Sequence, residues 1–316
     1  MSESPSLRDP EQVLRRLEWT VIRRLDGLLH GDYRTLFRGF GLDLADLREY
    51  QHGDDVRHID WNVTARLQTP YVREYHEDRD VTAWFLLDLS PSVDFGSNVE
   101  KHAVSAGFVT VLARLLTRHG NRVGAMLYGS QVDDVIPARN GRRHVLHLLH
   151  RMMSRPDPRS PQATRLADLL TGAFQVLQRR SLVFIVSDFI SEPGWEKPLG
   201  QLARRHEILA VRVCDPLESE LPDLGVLTMQ DAETGEQLFI DTHERGFRRR
   251  FAAMAASREA QMRQAFAKAG VDVLELSTED QLFDSILRFA ELKKRRNRVS
   301  GQFPKHLSAS HDLPLA

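Results

Sequence analysis

The stretch that most constrains this chain is Val81–Ser92, V-T-A-W-F-L-L-D-L-S-P-S. Its Ala83–Leu87 segment is apolar, short and without helical period, which predicts a strand buried on both faces, as in a parallel sheet. The run stops at Asp88, Ser90 and Ser92, small oxygen-bearing side chains at every second position. In open α/β sheets ligands bind beyond the carboxyl ends of the strands, and clustered oxygens there suit a hard cation such as Mg²⁺. The plainer account is that Asp88 opens a turn and the serines cap the next helix. So short a motif does not choose between the two.

Later segments bear on that choice. Ser181–Val186 is a second apolar strand, and it too ends in a carboxylate, Asp188. Thr164 closes a loop containing Pro156, Pro158 and Pro161, just before a helix over Arg165–Arg179. Two carboxylates and three hydroxyls on one sheet edge are much harder to reach by chance than D-x-S-x-S alone. Ile208–Val213 brings Asp215 to the same edge, where its place before Pro216 favours a turn role.

Between these strands the pattern predicts a helix capped at Ser97 or Asn98 and running to Arg118, with Val104, Phe108, Val111, Leu112 and Leu115 buried. A hairpin of Arg122–Tyr128 and Val132–Pro137 follows, then helices over Arg143–Ser154 and Pro198–His206. Val226–Gln230 and Gln237–Asp241 flank D-A-E-T-G-E as an inserted hairpin. A helix over Arg245–Gly270, a strand over Val271–Leu276 and a helix over Glu279–Arg296 complete the pattern. The alternation predicts an α/β, doubly wound, mostly parallel sheet.

Upstream, Leu14, Leu17, Val21, Leu25 and Leu28 give Glu11–His30 one apolar helical face, expected to pack on its own domain. Asp46–Arg66 mixes acids and bases and holds Tyr50, Ile59 and Trp61, which call for burial. It reads as a tight loop fixed by internal ion pairs, in preference to a cation site built on Asp54, Asp55 and Asp60. His52, His58 and His76 lack zinc-ligand spacing and read as ordinary polar residues. Tyr71–Tyr75 reads as a strand leading through the acidic turn Glu77–Asp80. The expected organisation is an N-terminal helix and wrapping segment over 1–80, a main domain over 81–296 with its hairpin insertion near 226–241, and a disordered tail over 297–316.

A net charge of −1 gives no bulk field for nucleic acid or an anionic membrane, and the basic runs Arg248–Arg250 and Lys293–Arg296 read as solvated helix faces. Cys214 is the only cysteine, which excludes an intrachain disulfide and fits a reducing compartment. The N-terminal residues lack the apolar core of a secretory signal. No run approaches the roughly 18 apolar residues of a membrane span. A cytoplasmic location is expected.

Taken together, Asp88-x-Ser90-x-Ser92, Thr164 and Asp188 resemble the metal-ion-dependent adhesion site of von Willebrand factor A domains. The order of strands and helices is similar to that fold. The stretch R-E-Y-Q-H-G-D-D-V-R-H-I-D-W-N-V-T-A-R, Arg48–Arg66, resembles the signature of the bacterial family called domain of unknown function 58. The resemblance implies a sheet of von Willebrand factor A (Rossmann-like) type with an N-terminal wrapping segment. It implies no settled enzymatic activity. It also implies an adaptor working with a MoxR-type AAA+ ATPase in chaperone-like assembly or metal insertion. In the resembled site, Ser90 and Ser92 bind a divalent cation directly and Thr164 binds directly or through water. Asp88 and Asp188 hold waters and orient the serines, and one position stays open for an Asp or Glu carboxylate of a client. Mg²⁺ is the expected ion, with Mn²⁺ and Ca²⁺ as alternatives. Val93 stands where the pattern often has methionine, and Gln162-Ala163 where it often has glycine. Members with transmembrane helices carry them before the signature; this sequence shows none there.

Enzymes compete with this reading. A phosphoesterase of haloacid-dehalogenase type could use Asp88 and Asp188, but Ser90 stands where its general acid belongs. A two-metal nuclease calls for a lysine or basic groove, and none is evident at this edge from the sequence. A serine hydrolase lacks G-x-S-x-G. A metal-free scaffold is the remaining alternative.

Overall fold

The computed structural model describes residues 9–25, 46–51, 56, 59, 61–74, 82–96, 99–129, 131–154, 164–230 and 237–289. Asp54, Asp55, Asp60, His52, His58, His76, the turn Glu77–Asp80, the caps Ser97 and Asn98, the proline loop, the D-A-E-T-G-E turn and the tail 297–316 lie outside the described residues.

The chain opens with helix α1 (Pro10–Leu17). Asp9 caps it, accepting from Glu11 N at 2.9 Å, and Pro10 fills the first turn, where its missing N–H costs nothing. A π-helical turn, Glu18–Ile22, continues the helix. Leu14, Val21 and Leu25 are buried, as their spacing predicts, and Leu17 is half-buried; Ile22, outside that expected face, is buried too, and Leu28 lies outside the described residues. Strand β1 (Asp46–Glu49) then pairs antiparallel with β2 (Tyr71–Glu74), and helix α2 (Trp61–Leu67) lies between them. This corrects the reading of Asp46–Arg66 as a loop. Trp61 is 69% exposed, so the burial expected for it is also overturned. Close alternation of charged and apolar residues hides both the two-residue and the 3.6-residue period, so neither short element stands out in the sequence.

The main sheet is built from β3 (Thr82–Asp88), β4 (Arg122–Tyr128), β5 (Val132–Arg139), β6 (Leu182–Ser187), β7 (Glu207–Cys214) and a last strand, Asp272–Ser277. A separate antiparallel pair, β8 (Val226–Gln230) and β9 (Gln237–Asp241), precedes that last strand, β10. In the sheet the order is β10-β7-β6-β3-β4-β5, parallel except for the edge strand β5. Counted in the order the chain forms them, these strands follow the doubly wound order 3-2-1-4-5-6 with the third reversed. The expected α/β, doubly wound, mostly parallel sheet is the fold this chain adopts.

Alternation along each strand divides two cores. Ala83, Phe85 and Leu87 face one, with Phe184, Val211 and Leu276. Leu86, Val183, Ile185 and Ala210 face the other. Helix α3 (Lys101–Arg118) and helix α4 (Arg142–Met153) cover the first face together with α1. Helices α5 (Leu166–Val176), α6 (Glu196–Arg205) and α7 (Arg245–Ala269) cover the second. Among the described residues no helix is long and apolar enough to cross a membrane.

The chain leaves β3 toward β4 on one side, and β6 later returns on the other. The C-terminal ends of β3 and β6 therefore flank the point where the winding reverses, where open α/β sheets leave a crevice.

Candidate functional site

Asp88 ends β3 at that crevice and is 1% exposed. Its Oδ1 accepts from Ser90 N at 3.0 Å, an Asx turn that throws the chain back over the strand end. Pro91–Asp94 then forms one 3₁₀ turn, and the Ser90 and Ser92 hydroxyls lie 3.1 Å apart. Next the chain reaches Gly96, where an added Cβ would stand 2.1 Å from Val99 O. Only glycine allows this close return, after which Lys101 N donates to Phe95 O at 3.1 Å and α3 begins. The helix thus starts at Lys101, later than the caps at Ser97 and Asn98 predict.

From β6, Ser187 donates to Asp88 Oδ2 at 2.6 Å and accepts from Phe189 N at 2.8 Å. Asp188, next in the chain, is also buried; its Oδ1 accepts from Ile190 N at 2.9 Å. Phe189 has φ of +58°, a left-handed backbone that is uncommon for a bulky residue. Its ring packs on Trp195 and Phe266, which holds the turn in that strained state. Ser191 then donates to Thr164 O at 2.8 Å, and its hydroxyl accepts from Leu166 N at 2.9 Å. Thr164 is 1% exposed, and Arg165 N donates to the hydroxyl of Tyr128, the cross-strand neighbour of Asp88. The loop after β6 and the start of α5 therefore form one hydrogen-bonded unit.

All five residues singled out from the sequence thus lie at the same edge of the sheet: Asp88, Ser90 and Ser92 after β3, Asp188 after β6, and Thr164 joined to the β6 loop through its carbonyl. Asp215, read as a turn residue, is one. It caps the 3₁₀ turn Pro216–Glu218 through Leu217 N at 2.9 Å and accepts from Thr278 Oγ1 at 2.7 Å.

The sequence reading missed three participants: Ser187, Lys101 and Glu218. No lysine is evident at this edge from the sequence, yet Lys101 stands there. Lys101 is fully buried, and its ammonium reaches Asp188 Oδ2 at 2.6 Å and Glu218 Oε1 at 2.5 Å. It faces no groove, so it does not supply the basic surface a nuclease would need. The S-D step at Ser187-Asp188 carries a weak signal for the serine; Lys101 carries none.

Electrostatics follow from this packing. Burial first, then the nearby Asp188 charge, push the Asp88 carboxyl up to about 6. Burial works against the charge on Lys101, but Asp188 and Glu218 together outweigh it and hold the ammonium above its ordinary range. Burial raises the Cys214 thiol to about 11, away from the thiolate form.

Among the described residues no group of three or more His, Cys, Asp or Glu side chains could hold a metal ion. A cation here would have to rely on hydroxyl oxygens. The hydroxyl set fits a hard divalent ion in chemistry: paired serine hydroxyls and a buried threonine, with the Asp88 and Asp188 carboxylates beside them and no soft ligand. The Lys101 ammonium already neutralises Asp188, so a divalent ion at the hydroxyls would meet a positive charge beside it.

The family profile described as "Protein of unknown function DUF58" matches residues 46–261. The chain is a DUF58 protein. Uncharacterized proteins Rv1480 of Mycobacterium tuberculosis and Mb1516 of Mycobacterium bovis are each 36% identical to it over 292 residues, spanning 92% of this chain and 91% of theirs. Among solved structures, BatB from Bacteroides thetaiotaomicron is similar at 15% identity and a TM-score of 0.46, over 69% of this chain and 99% of that one. The VWA domain of SpRpn10 is similar at 13% identity and a TM-score of 0.36, over 66% of this chain and 93% of that one.

Proposed function

We propose that this DUF58 protein is a non-enzymatic, cation-dependent interaction module whose binding edge is the loop cluster around Asp88, Ser90, Ser92, Thr164 and Asp188. The observation that carries the reading is the pair of buried serine hydroxyls, 3.1 Å apart, backed by Asp88. Both Asp88 oxygens are already engaged, by Ser90 N and the Ser187 hydroxyl. Asp88 therefore orients the serine loop, which leaves Ser90, Ser92 and Thr164 to hold Mg²⁺, Mn²⁺ or Ca²⁺. When bound, the ion supplies an electrophilic position that accepts a carboxylate from a partner's Asp or Glu. The partner we favour is a MoxR-type AAA+ ATPase or its client, with assembly or metal insertion as the task and the cytoplasm as the place.

A metal-free scaffold is the second reading. The Lys101 ammonium favours it, since it already compensates Asp188.

Titration calorimetry with Mn²⁺ separates the two. Saturable binding to the wild type is expected, and Asp88→Ala should weaken it by about ten- to a hundredfold, the usual cost of losing a residue that orients metal ligands. No saturable binding of Mn²⁺ or Mg²⁺ by the folded wild type would leave the scaffold. Turnover of phosphoesters that depends on Mg²⁺ and on Asp88 would overturn the non-enzymatic part.

A further inference from the structure

A fully buried lysine is costly, because the ammonium loses its water and must be repaid by well-placed partners. Lys101 has two, from elements far apart in sequence: Asp188 after β6 and Glu218 in the turn after β7. Its position as first residue of α3 is fixed by the Gly96 return and the bond to Phe95 O. The Phe95 ring lies 5.9 Å from the ammonium, within range of a cation–π attraction. The two carboxylates differ. The Asp188 side chain is 1% exposed, whereas that of Glu218 is 16% exposed and can exchange its bond for water.

These facts give the ammonium two partners of unequal permanence, and one of them belongs to the proposed cation site. Asp188 and Glu218 set two carboxylates against one ammonium, and the Asp88 carboxyl lies near enough to Asp188 to feel its charge, so the cluster is short of positive charge. A divalent ion arriving at the hydroxyls would meet a positive charge already seated on Asp188. Lysine is a compact point charge on a flexible stem, so it can release one carboxylate while keeping the other.

We infer that Lys101 is a tethered cation that competes with an external divalent ion for Asp188, with Glu218 as the alternative seat that lets it yield. The inference rests on the cation-site reading above and adds a regulator to it. Partner binding at this edge would then be set by how firmly Glu218 draws the ammonium away from Asp188. A purely structural salt bridge would not behave so: any break in it would loosen the loops and weaken ion binding.

Two variants test this through Mn²⁺ affinity, measured by calorimetry, with thermal unfolding as a check on fold. Lys101→Gln keeps a hydrogen-bond donor and removes the charge. It should tighten Mn²⁺ binding by roughly ten- to a hundredfold, the scale of one unit charge removed from a partly buried site. Glu218→Gln leaves Lys101 with Asp188 as its one carboxylate, so binding should weaken by about threefold or more. Opposite signs support the inference; equal or weaker binding by folded Lys101→Gln overturns it. If that variant does not fold, Glu218→Gln decides alone, and unchanged or tighter binding overturns the inference. Should the wild type bind and neither variant differ, Lys101 is only structural and the cation site stands. If the wild type shows no binding but Lys101→Gln does, Lys101 holds Asp188 without yielding, which overturns the inference and leaves the wild type a metal-free scaffold. No binding by either folded protein overturns both.

Discussion

His206, which follows α6, has both ring nitrogens buried with no hydrogen-bond partner among the described residues. Burial, with help from Arg205, lowers its pKa below the ordinary 6.5. His144 is lowered in the same direction by burial, although it also reaches Val123 O at 2.7 Å. Both remain neutral in the folded state at a pH where the unfolded chain takes up a proton. Their contribution to stability is therefore present above about pH 6.5 and is lost as pH falls below it toward their depressed folded pKa. The thermal midpoint should fall between pH 7.5 and pH 5, and His206→Leu should flatten part of that fall. A variant that loses stability with acid as steeply as the wild type would show that His206 takes up its proton freely when folded. At this scale the sequence makes Asp88, Ser90, Ser92 and Asp188 legible, because each sits at the polar end of an apolar run. It does not make Lys101 legible. A lysine opening an amphipathic helix carries no mark that separates a solvated ammonium from a buried one, and its partners lie 87 and 117 residues away.

Elements follow the same logic. Strands β3, β6 and β7 announce themselves because burial on both faces demands unbroken apolar runs. β1 and α2 do not, since they sit at the margin and owe their form to pairing with β2 and to local contacts such as Tyr71 N to Thr64 Oγ1. The π-helical turn Glu18–Ile22 is equally hidden, because a one-residue widening leaves the apolar spacing of the helix nearly intact. One constraint inside the sheet shows how closely its strands depend on side-chain size. In β4 an added Cβ at Gly124 would lie 2.9 Å from the Trp84 ring and 3.1 Å from Ile136 O. Trp84 on β3 could shift, but the backbone of β5 could not do so without disturbing its pairing. Gly124→Ala should therefore cost about 1–3 kcal/mol, the range for overpacking. The expected reading in urea unfolding is a lower midpoint at unchanged slope. An unaltered midpoint would mean that the indole has room the packing does not reveal.

For the whole molecule, the sheet separates two cores, and the first is closed in part by residues outside the family match at 46–261. Leu14 and Ile22 are fully buried there, beside α3 and α4, and two ion pairs pin the segment: Glu18 with Arg114 at 2.7 Å and Glu11 with Arg142 at 3.1 Å. The exposed pair adds little, because water and salt screen it. Apolar burial decides the matter. If this segment belongs to the same cooperative unit as the sheet, Ile22→Ala should lower global stability by roughly 2–5 kcal/mol, the cost of a truncated core side chain. Trp19 is larger but 65% exposed, with the Arg23 guanidinium over its ring at 4.1 Å. Trp19→Ala should change stability by no more than about 0.5 kcal/mol. Both variants should still unfold in one transition when followed by far-ultraviolet circular dichroism and by near-ultraviolet signals of the core aromatics. The proposed cation site lies at the other end of this dependence, because α3 begins with Lys101 and its buried face carries α1. An Ile22→Ala protein that melts in two steps, the first without loss of the core aromatic signal, would make the N-terminal segment a separate attachment and leave the sheet to hold the proposed binding edge alone.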